Sequence, residues 1–282
     1  MLTIRPASTA NSLAAKHAAL SASLNALGSV LVAFSGGADS ALLLKAAYDV
    51  LGERAVAAIA VSPSLAADEL AGAVAIAESI GARLHQVETA EMLNAAYRRN
   101  DADRCYHCKD ELFTVLRPLA DRLGIAHIAY GLNADDVLSD DRPGQRAALE
   151  WGVEGPLAAA GLHKDEVRAL SRRLGLATWN KPALACLASR IPHGQAVSTE
   201  ALGMVEEAER FIRSFGVRDL RVRTHERTAR IEVDAESLVR LVEPTVRARI
   251  TARLHDLGYR YVTLDLDGFR SGSTNASASP GL

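Results

Sequence analysis

The chain has 282 residues, 49% hydrophobic and 23% charged, with a formal net charge of −2. That length and balance suit one large or two ordinary globular domains with a real core, and the near-neutral charge offers no electrostatic footprint for a polyanion such as tRNA. No apolar run reaches the roughly 18 residues that cross a bilayer, and "MLTIRPASTANS" lacks the apolar core of a secretory signal, so a cytoplasmic protein with no membrane or nucleic-acid partner is expected.

In chain order, "NSLAAKHAALSASLNALG" has helical spacing, and "SVLVAFSGG" is a short β-forming apolar run that ends in a glycine turn. "ADSALLLKAAYDVLG" follows as a helix stopped by Gly52, then "RAVAAIAVSPS" as a buried strand, "AADELAGAVAIAESIGA" as a helix and "RLHQVET" as a third strand. After "DRCYHCK" the segment "DELFTVLRPLADRLG" reads as a helix and "IAHIAYGLN" as a strand, and "HKDEVRALSRRLGL" closes this half as a helix. Strands alternating with helices at this spacing predict a doubly wound α/β domain on a parallel sheet, over residues 1–190. From Pro192 onward the pattern changes to helix, two polar-alternating strands, helix and strand, which predicts a small α+β domain over 191–270. The remainder, 271–282, is expected to be a mobile tail.

"SGGADS", Ser35 to Ser40, lies between the first strand and its helix, where backbone N–H groups and the helix dipole converge on an anion. Gly36 and Gly37 allow a tight turn and close approach of phosphate, Ser35 and Ser40 add hydroxyls, and Asp39 can orient the loop or hold Mg²⁺. The ordinary alternative is a glycine turn with a helix cap. No G-K-[ST] follows, so this is not a Walker A loop. The motif resembles the signature of the PP-loop ATP pyrophosphatases. That resemblance implies ATP binding here, AMP transfer to a carbonyl oxygen and release of pyrophosphate. In such a fold Ala33, Phe34, Val61 and Ser62 neighbour the nucleotide, and Gly131 opens "GLNADD" on the same carboxyl edge. Those acids either hold metal or positioned substrate, or form a solvated Asx turn.

The chain has three cysteines, Cys105 and Cys108 as C-x-x-C and Cys186 far downstream. A reducing compartment argues against a structural disulfide and leaves catalysis, metal binding or burial. "RCYHCK", "GLNADD", "DDRPGQRAALE", "GPLAAAGLHKDEVRAL", "WNKPALACLASRIPHG", "RVRTHERTARIEV" and "LDLDGFRSGSTN" together resemble the LarE family of ATP-dependent sulfur transferases over nearly the whole chain. The resemblance implies conversion of the carboxylates of a pyridinium mononucleotide to thiocarboxylates, on the route to the nickel-pincer nucleotide cofactor. It also implies a homo-oligomer. One version of that chemistry gives up the sulfur of a single cysteine at the position of Cys186. The other holds a 4Fe–4S cluster on three cysteines, at the positions of Cys105, Cys108 and Cys186. A cluster employs all three thiols and leaves one coordination position for sulfide. A Cys₃His zinc site with His107 or His193, a redox pair and inert thiols stay open beside it.

In "LRVRTHERTARIEVD", Arg221 and Arg223 alternate with Leu220 and Val222, so both arginines share one face of a strand and can cradle an anion. A solvated ribbon face is the plain alternative. The family resemblance places Arg221, Arg223, Glu209, Glu232 and Arg270 at substrate positions, and Ser189 and Arg190 flank Cys186 as further anion ligands. Three other functions share the loop: an amidating ligase of the NAD-synthetase kind, a tRNA-thiolating enzyme and a non-catalytic ATP sensor.

Overall fold

The computed structural model describes residues 12–138, 143–182 and 185–269. The first stretch carries α1 (Leu13–Leu27), β1 (Val30–Ala33), α2 (Ala38–Leu51), β2 (Ala55–Val61), α3 (Ala67–Ile80) and β3 (Arg83–Glu88). It continues with α4 (Ala95–Arg99), α5 (Arg104–Arg122), β4 (His127–Tyr130) and α6 (Ala134–Leu138). The second stretch carries α7 (Pro143–Glu150), α8 (Pro156–Ala159) and α9 (Lys164–Arg173). The third carries α10 (Thr199–Arg213), β5 (Leu220–His225), β6 (Thr228–Val233), α11 (Ala235–Leu241), α12 (Pro244–Asp256) and β7 (Tyr261–Leu264). None of the described helices is long and apolar enough to cross a membrane.

The chain divides into two compact units. The first contains the described parts of Met1–Ser62, Ala67–Thr89 and Cys105–Ala183, and the second those of Pro63–Ala66, Ala90–Arg104 and Leu184–Leu282. The partition is discontinuous, with two short excursions belonging to the C-terminal unit, which local residue patterning gives no sign of.

The first unit is built on a parallel sheet ordered β3-β2-β1-β4. β1 reads VLVA and is buried at all four positions, because helices cover both faces of a parallel sheet and leave no polar alternation. Leu31, Val56 and Ile128 on three strands pack with Phe113 and Leu116 of α5. Chain order reverses at β1, which has β2 on one side and β4 on the other. In open α/β sheets ligands bind outside the carboxyl ends of the strands at such a switch point. The expected α/β class with a parallel sheet and a second, smaller sheet is the fold observed.

One local expectation changes, and one of two alternatives is decided. The helix expected from Asp110 starts at Arg104, so the cysteine pair lies within its first two turns. "GLNADD" forms the Asx turn, one of its two readings, although Asn133 itself is buried. The Asn133 side chain accepts from the amides of Asp135 and Asp136 at 3.0 and 3.1 Å, and so caps α6.

In the second unit, β5 and β6 are antiparallel and β7 adds parallel to β6. The β5–β6 register sets Arg221 opposite Glu232 and Arg223 opposite Arg230. Val222, Ile231, Leu254 and Tyr259 pack with Ala208 and Ile212 of α10 into this unit's own core.

Candidate active site

The nucleotide side begins where β1 runs out. Ala33 and Phe34 are buried at its end, and Phe34 donates its amide to the Ala58 carbonyl at 2.8 Å. Val61 and Ser62 lie half-buried at the end of β2, on the same carboxyl edge because the strands are parallel. Gly36 has φ +69°, and a Cβ there would stand 2.7 Å from the Ala73 Cβ, so only glycine fits. The loop is cross-braced from within. The Ser35 amide donates to Ser40 Oγ at 3.2 Å, Ser40 Oγ donates to the Gly37 carbonyl at 3.3 Å, and the two hydroxyls are 3.1 Å apart. Both serines therefore shape the turn. Gly131 closes the other wall: a Cβ there would lie 2.8 Å from the Ser40 amide nitrogen.

Asp39 faces that wall. It accepts from Asn133 Nδ2 at 3.2 Å and is ion-paired with Lys164. Lys181 donates to the Gly36 carbonyl at 3.2 Å and pairs with Glu69 at 2.8 Å. Two ammonium groups thus stand at the loop beside the amino end of α2, whose N–H groups favour an anion. Sequence reasoning assigned no role to Lys164, Lys181 or Asn133. The only signal was their presence inside "HKDEVRAL", "NKPALACL" and "GLNADD", strings that carried the family resemblance.

Cys105 is exposed and Cys108 half-buried, three residues apart and so on one side of α5. Lys109 follows them, with its ammonium 5.3 Å from the Tyr130 ring centroid and 5.7 Å from that of Phe113. Burial pulls the Lys109 amine below the usual lysine range, opposed by the neighbouring Cys108 and Cys105 thiols. Burial, with help from Asp136, pushes Tyr130 up to about 12.

Cys186 is exposed and opens the 3₁₀ turn Leu187–Arg190. Leu187 donates its amide to the Ser64 carbonyl at 2.9 Å, and Ser189 donates to that of Cys186 at 2.9 Å. Arg190 is buried against Glu209 in a two-pronged pair at 2.9 and 3.1 Å, and its Nη1 reaches the Cys186 carbonyl at 3.0 Å and Ser189 Oγ at 3.2 Å. Glu209 further accepts from the Val222 amide at 3.1 Å and from Arg213 at 3.3 Å. Burial works against its charge, but Arg190, Arg213 and the Val222 amide outweigh it and hold the carboxyl below the usual range.

Arg223, on β5, pairs with the fully buried Glu232 at 3.1 Å and donates to the Ser189 carbonyl at 2.8 Å. Arg230 joins Glu232 at 2.9 Å. Arg221 is half-buried, 5.1 Å over the Phe269 ring, and burial, aided by Arg190, brings it down to about 10, still a cation at neutral pH. The structure therefore brings Ser189, Arg190, Glu209, Arg221, Arg223 and Glu232 into one unit with Cys186, but places both glutamates behind the arginines, not at an open surface. Arg270 lies outside the described residues.

None of the three cysteines is in a disulfide. Their chemistry suits an iron–sulfur centre, and the helical pair offers two adjacent thiols. Among the described residues no group of three or more His, Cys, Asp or Glu side chains is gathered as a metal site.

A family model described as NAD synthase matches residues 17–114, the part that carries the loop. An uncharacterized protein of Synechocystis is 46% identical over 87% of this chain and 91% of its own length. The pyridinium-3,5-bisthiocarboxylic acid mononucleotide synthase of Lactiplantibacillus plantarum is 38% identical over 93% of this chain and 95% of its own. An uncharacterized protein of Methanocaldococcus jannaschii is 27% identical over 86% of the chain. Loop, sheet and near-full-length similarity agree: the chain belongs to the LarE family of ATP-utilising PP-loop enzymes.

Proposed function

We propose that the protein is an ATP-dependent sulfur transferase of nickel-pincer nucleotide biosynthesis. It adenylates carboxylates of pyridinium-3,5-biscarboxylic acid mononucleotide and converts them to thiocarboxylates. The observation that carries this reading is the full-length similarity to a relative named for that product, joined to an exposed cysteine set among buried arginines. Cytoplasmic location and homo-oligomeric assembly belong to the same reading.

In the first step a substrate carboxylate oxygen attacks the α-phosphorus of ATP. The bond from that phosphorus to the bridging oxygen breaks, and pyrophosphate leaves with the electron pair. Lys164, Lys181 and the amides of the SGGADS loop stabilise the charge that builds on the phosphates, and Asp39, the carboxylate of that loop, would hold Mg²⁺. In the second step sulfur presented at the Cys186 turn attacks the activated acyl carbon, and AMP departs with the electrons of the broken C–O bond. Activation is required because a carboxylate is a poor electrophile. Arg221 belongs to the same unit as Cys186 and suits the phosphate or carboxylate of the mononucleotide, with the buried Arg223 two residues along the strand. Ser189 joins this substrate side, as does Arg270 by resemblance.

The sulfur source we assign is a 4Fe–4S cluster on Cys105, Cys108 and Cys186, which when bound supplies a replaceable sulfide at its unligated iron. One contact supports it: Arg104, the residue before Cys105, donates to the Ala188 carbonyl at 3.0 Å, two residues beyond Cys186. A second reading is sacrifice of the Cys186 sulfur itself: once the thioester has formed, the cysteine's Cα proton is lost, its Cβ–Sγ bond breaks with the electrons going to sulfur, and dehydroalanine remains. That route is favoured by the thiol's exposure and by the lack of a gathered three-donor group among the described residues. An amidating ligase would share the loop, and the NAD-synthase match lies in that shared part, but it has no use for the cysteine turn.

Anaerobic protein mixed with ATP and the mononucleotide should release pyrophosphate and yield a product carrying sulfur for oxygen. Iron and labile sulfide in the protein, with unaltered Cys186 after turnover, mark the cluster route. Loss of sulfur from Cys186 marks the sacrificial one. Pyrophosphate release only in the presence of ammonia would overturn both.

A further inference from the structure

Two buried arginines hold the backbone on which Cys186 sits. Arg104 is 6% exposed, and its Nη1 donates both to the Ala188 carbonyl and to the Asn100 side-chain oxygen. Arg190 is 4% exposed and clasps the carbonyls of Ala185 and Cys186 at 2.5 and 3.0 Å while Glu209 grips its far side. The turn's own amides reach the Cys186 carbonyl from Ser189 at 2.9 Å and the Ala188 carbonyl from Ile191 at 3.2 Å, so the guanidinium groups add a second donor to each and tie both to side chains outside the turn. Behind Arg104 stands Asn100, fully buried with φ +60°, whose amide nitrogen donates to the carbonyls of Ile191, Pro192 and Gln195 at 3.2, 2.8 and 2.9 Å. Asn100 also accepts the Gly194 amide at 3.1 Å. From Ala185 to Gln195, then, six carbonyls are fixed by donors on three buried side chains when the Ser189 carbonyl and Arg223 are set aside.

A neutral donor would satisfy a carbonyl at lower desolvation cost than a buried guanidinium. The guanidinium adds a rigid fork that binds two acceptors at fixed angles. Here both forks bind acceptors on the two sides of the cysteine and tie them to buried partners, Asn100 and Glu209. That arrangement constrains where the sulfur can go while leaving the thiol itself exposed.

We propose that Arg104 and Arg190 are positioning residues for Cys186, fixing the turn that presents its sulfur rather than binding substrate. The inference rests on the sulfur-transfer reading for its effect on turnover, but its physical content is the order of residues 185–191. It gives Arg104 a role that motif reading did not suggest and takes Arg190 from the substrate side to the support of the cysteine.

The test compares wild type with Arg104→Gln, Arg190→Gln and Arg190→Lys, and with Arg210→Gln, an exposed arginine of α10, as control. Amide hydrogen exchange is followed in the full chain, alongside single-turnover release of pyrophosphate and formation of thiocarboxylate. Exchange over 185–191 should rise about tenfold or more in both glutamine variants, while residues 33–40 keep wild-type rates. Thiocarboxylate formation should fall about 100-fold, the usual consequence of a misplaced reacting group, with pyrophosphate release held within about twofold. Arg190→Lys, which keeps charge and one donor, should fall between, and Arg210→Gln should match wild type. Unchanged exchange at 185–191 overturns the proposal, and so does a parallel loss of pyrophosphate release and thiocarboxylate. If Arg190→Gln does not fold, Glu209→Gln loosens the same clasp more gently and is read in the same way. If wild type forms no thiocarboxylate, the sulfur-transfer reading fails, while exchange and the alkylation rate of Cys186 still decide whether the arginines hold the turn.

Discussion

The phosphate loop and the cysteine turn reach the same end, a reactive edge held still, by different means. Ser35 to Ser40 brace one another across five residues, and glycine at positions 36 and 131 lets backbone and helix meet at contact distance. The Cys186 turn closes on itself through two backbone bonds, Ser189 to Cys186 and Ile191 to Ala188, and leans for the rest on distant side chains. It is held by Arg104 and Asn100 from more than 80 residues upstream, and by Glu209 and Arg223 from downstream. The difference teaches that an anion cradle can be written into a local motif because backbone amides supply the ligands. An exposed thiol that must be aimed draws on buried charge from elsewhere in the chain.

The comparison breaks most severely at the sulfur itself. Cys186→Ala should lower thiocarboxylate formation by a factor on the order of 10³ or more and leave ATP-dependent pyrophosphate release intact, as read in a single-turnover assay. Equal loss of both would mean the two regions are not separable. Next comes Glu209→Ala, which strips a buried partner from Arg190 and an acceptor from the Val222 amide. Leaving that cation uncompensated should cost about 3–5 kcal/mol of stability, measured by urea unfolding. Gly131→Ala forces a methyl against the start of α2. It should cost about 1–3 kcal/mol and weaken ATP binding in calorimetry without altering exchange at the cysteine turn.

The smallest effect is on pH. The folded Glu209 carboxyl titrates below its ordinary range, so its contribution is fully present above the unfolded value of about 4.3 and is lost as pH falls through the lower folded value. Acid unfolding of wild type should therefore be steeper below about pH 4 than that of Glu209→Gln. Superimposable acid curves for the two proteins would exclude this carboxylate as a contributor.

How much was legible beforehand follows the same division. "SGGADS" and its flanking strand and helix could be read directly, since loop, turn and anion site all lie within a few residues. The lysines could not, because Lys164 and Lys181 reach the loop across 125 and 145 residues. Alternation correctly set Arg221 and Arg223 on one face of β5. It could not show that Arg223 is buried on Glu232, because burial depends on β6 and on the turn beyond the sheet. Glu209 read as a site residue by resemblance, and its place beneath Arg190 emerges only from the packing of α10 against β5. Helical spacing was legible in α5 only from Asp110, although the helix runs from Arg104 and takes in the cysteine pair.

Asn100 is made long before the backbone it grips. Ile191 leaves the ribosome 91 residues later and Gln195 95 residues later, a wait of roughly 5–20 s at ordinary translation rates. Through that interval the nascent chain holds a polar hub with no carbonyls to hold. A cloned fragment beginning near residue 190 would be in the opposite position, carrying the cysteine-proximal backbone without Asn100 or Arg104. Dissecting the protein into halves by a single cut therefore removes the supports of one half, and any expression vector for the C-terminal unit must find a way to carry residues 90–104 along.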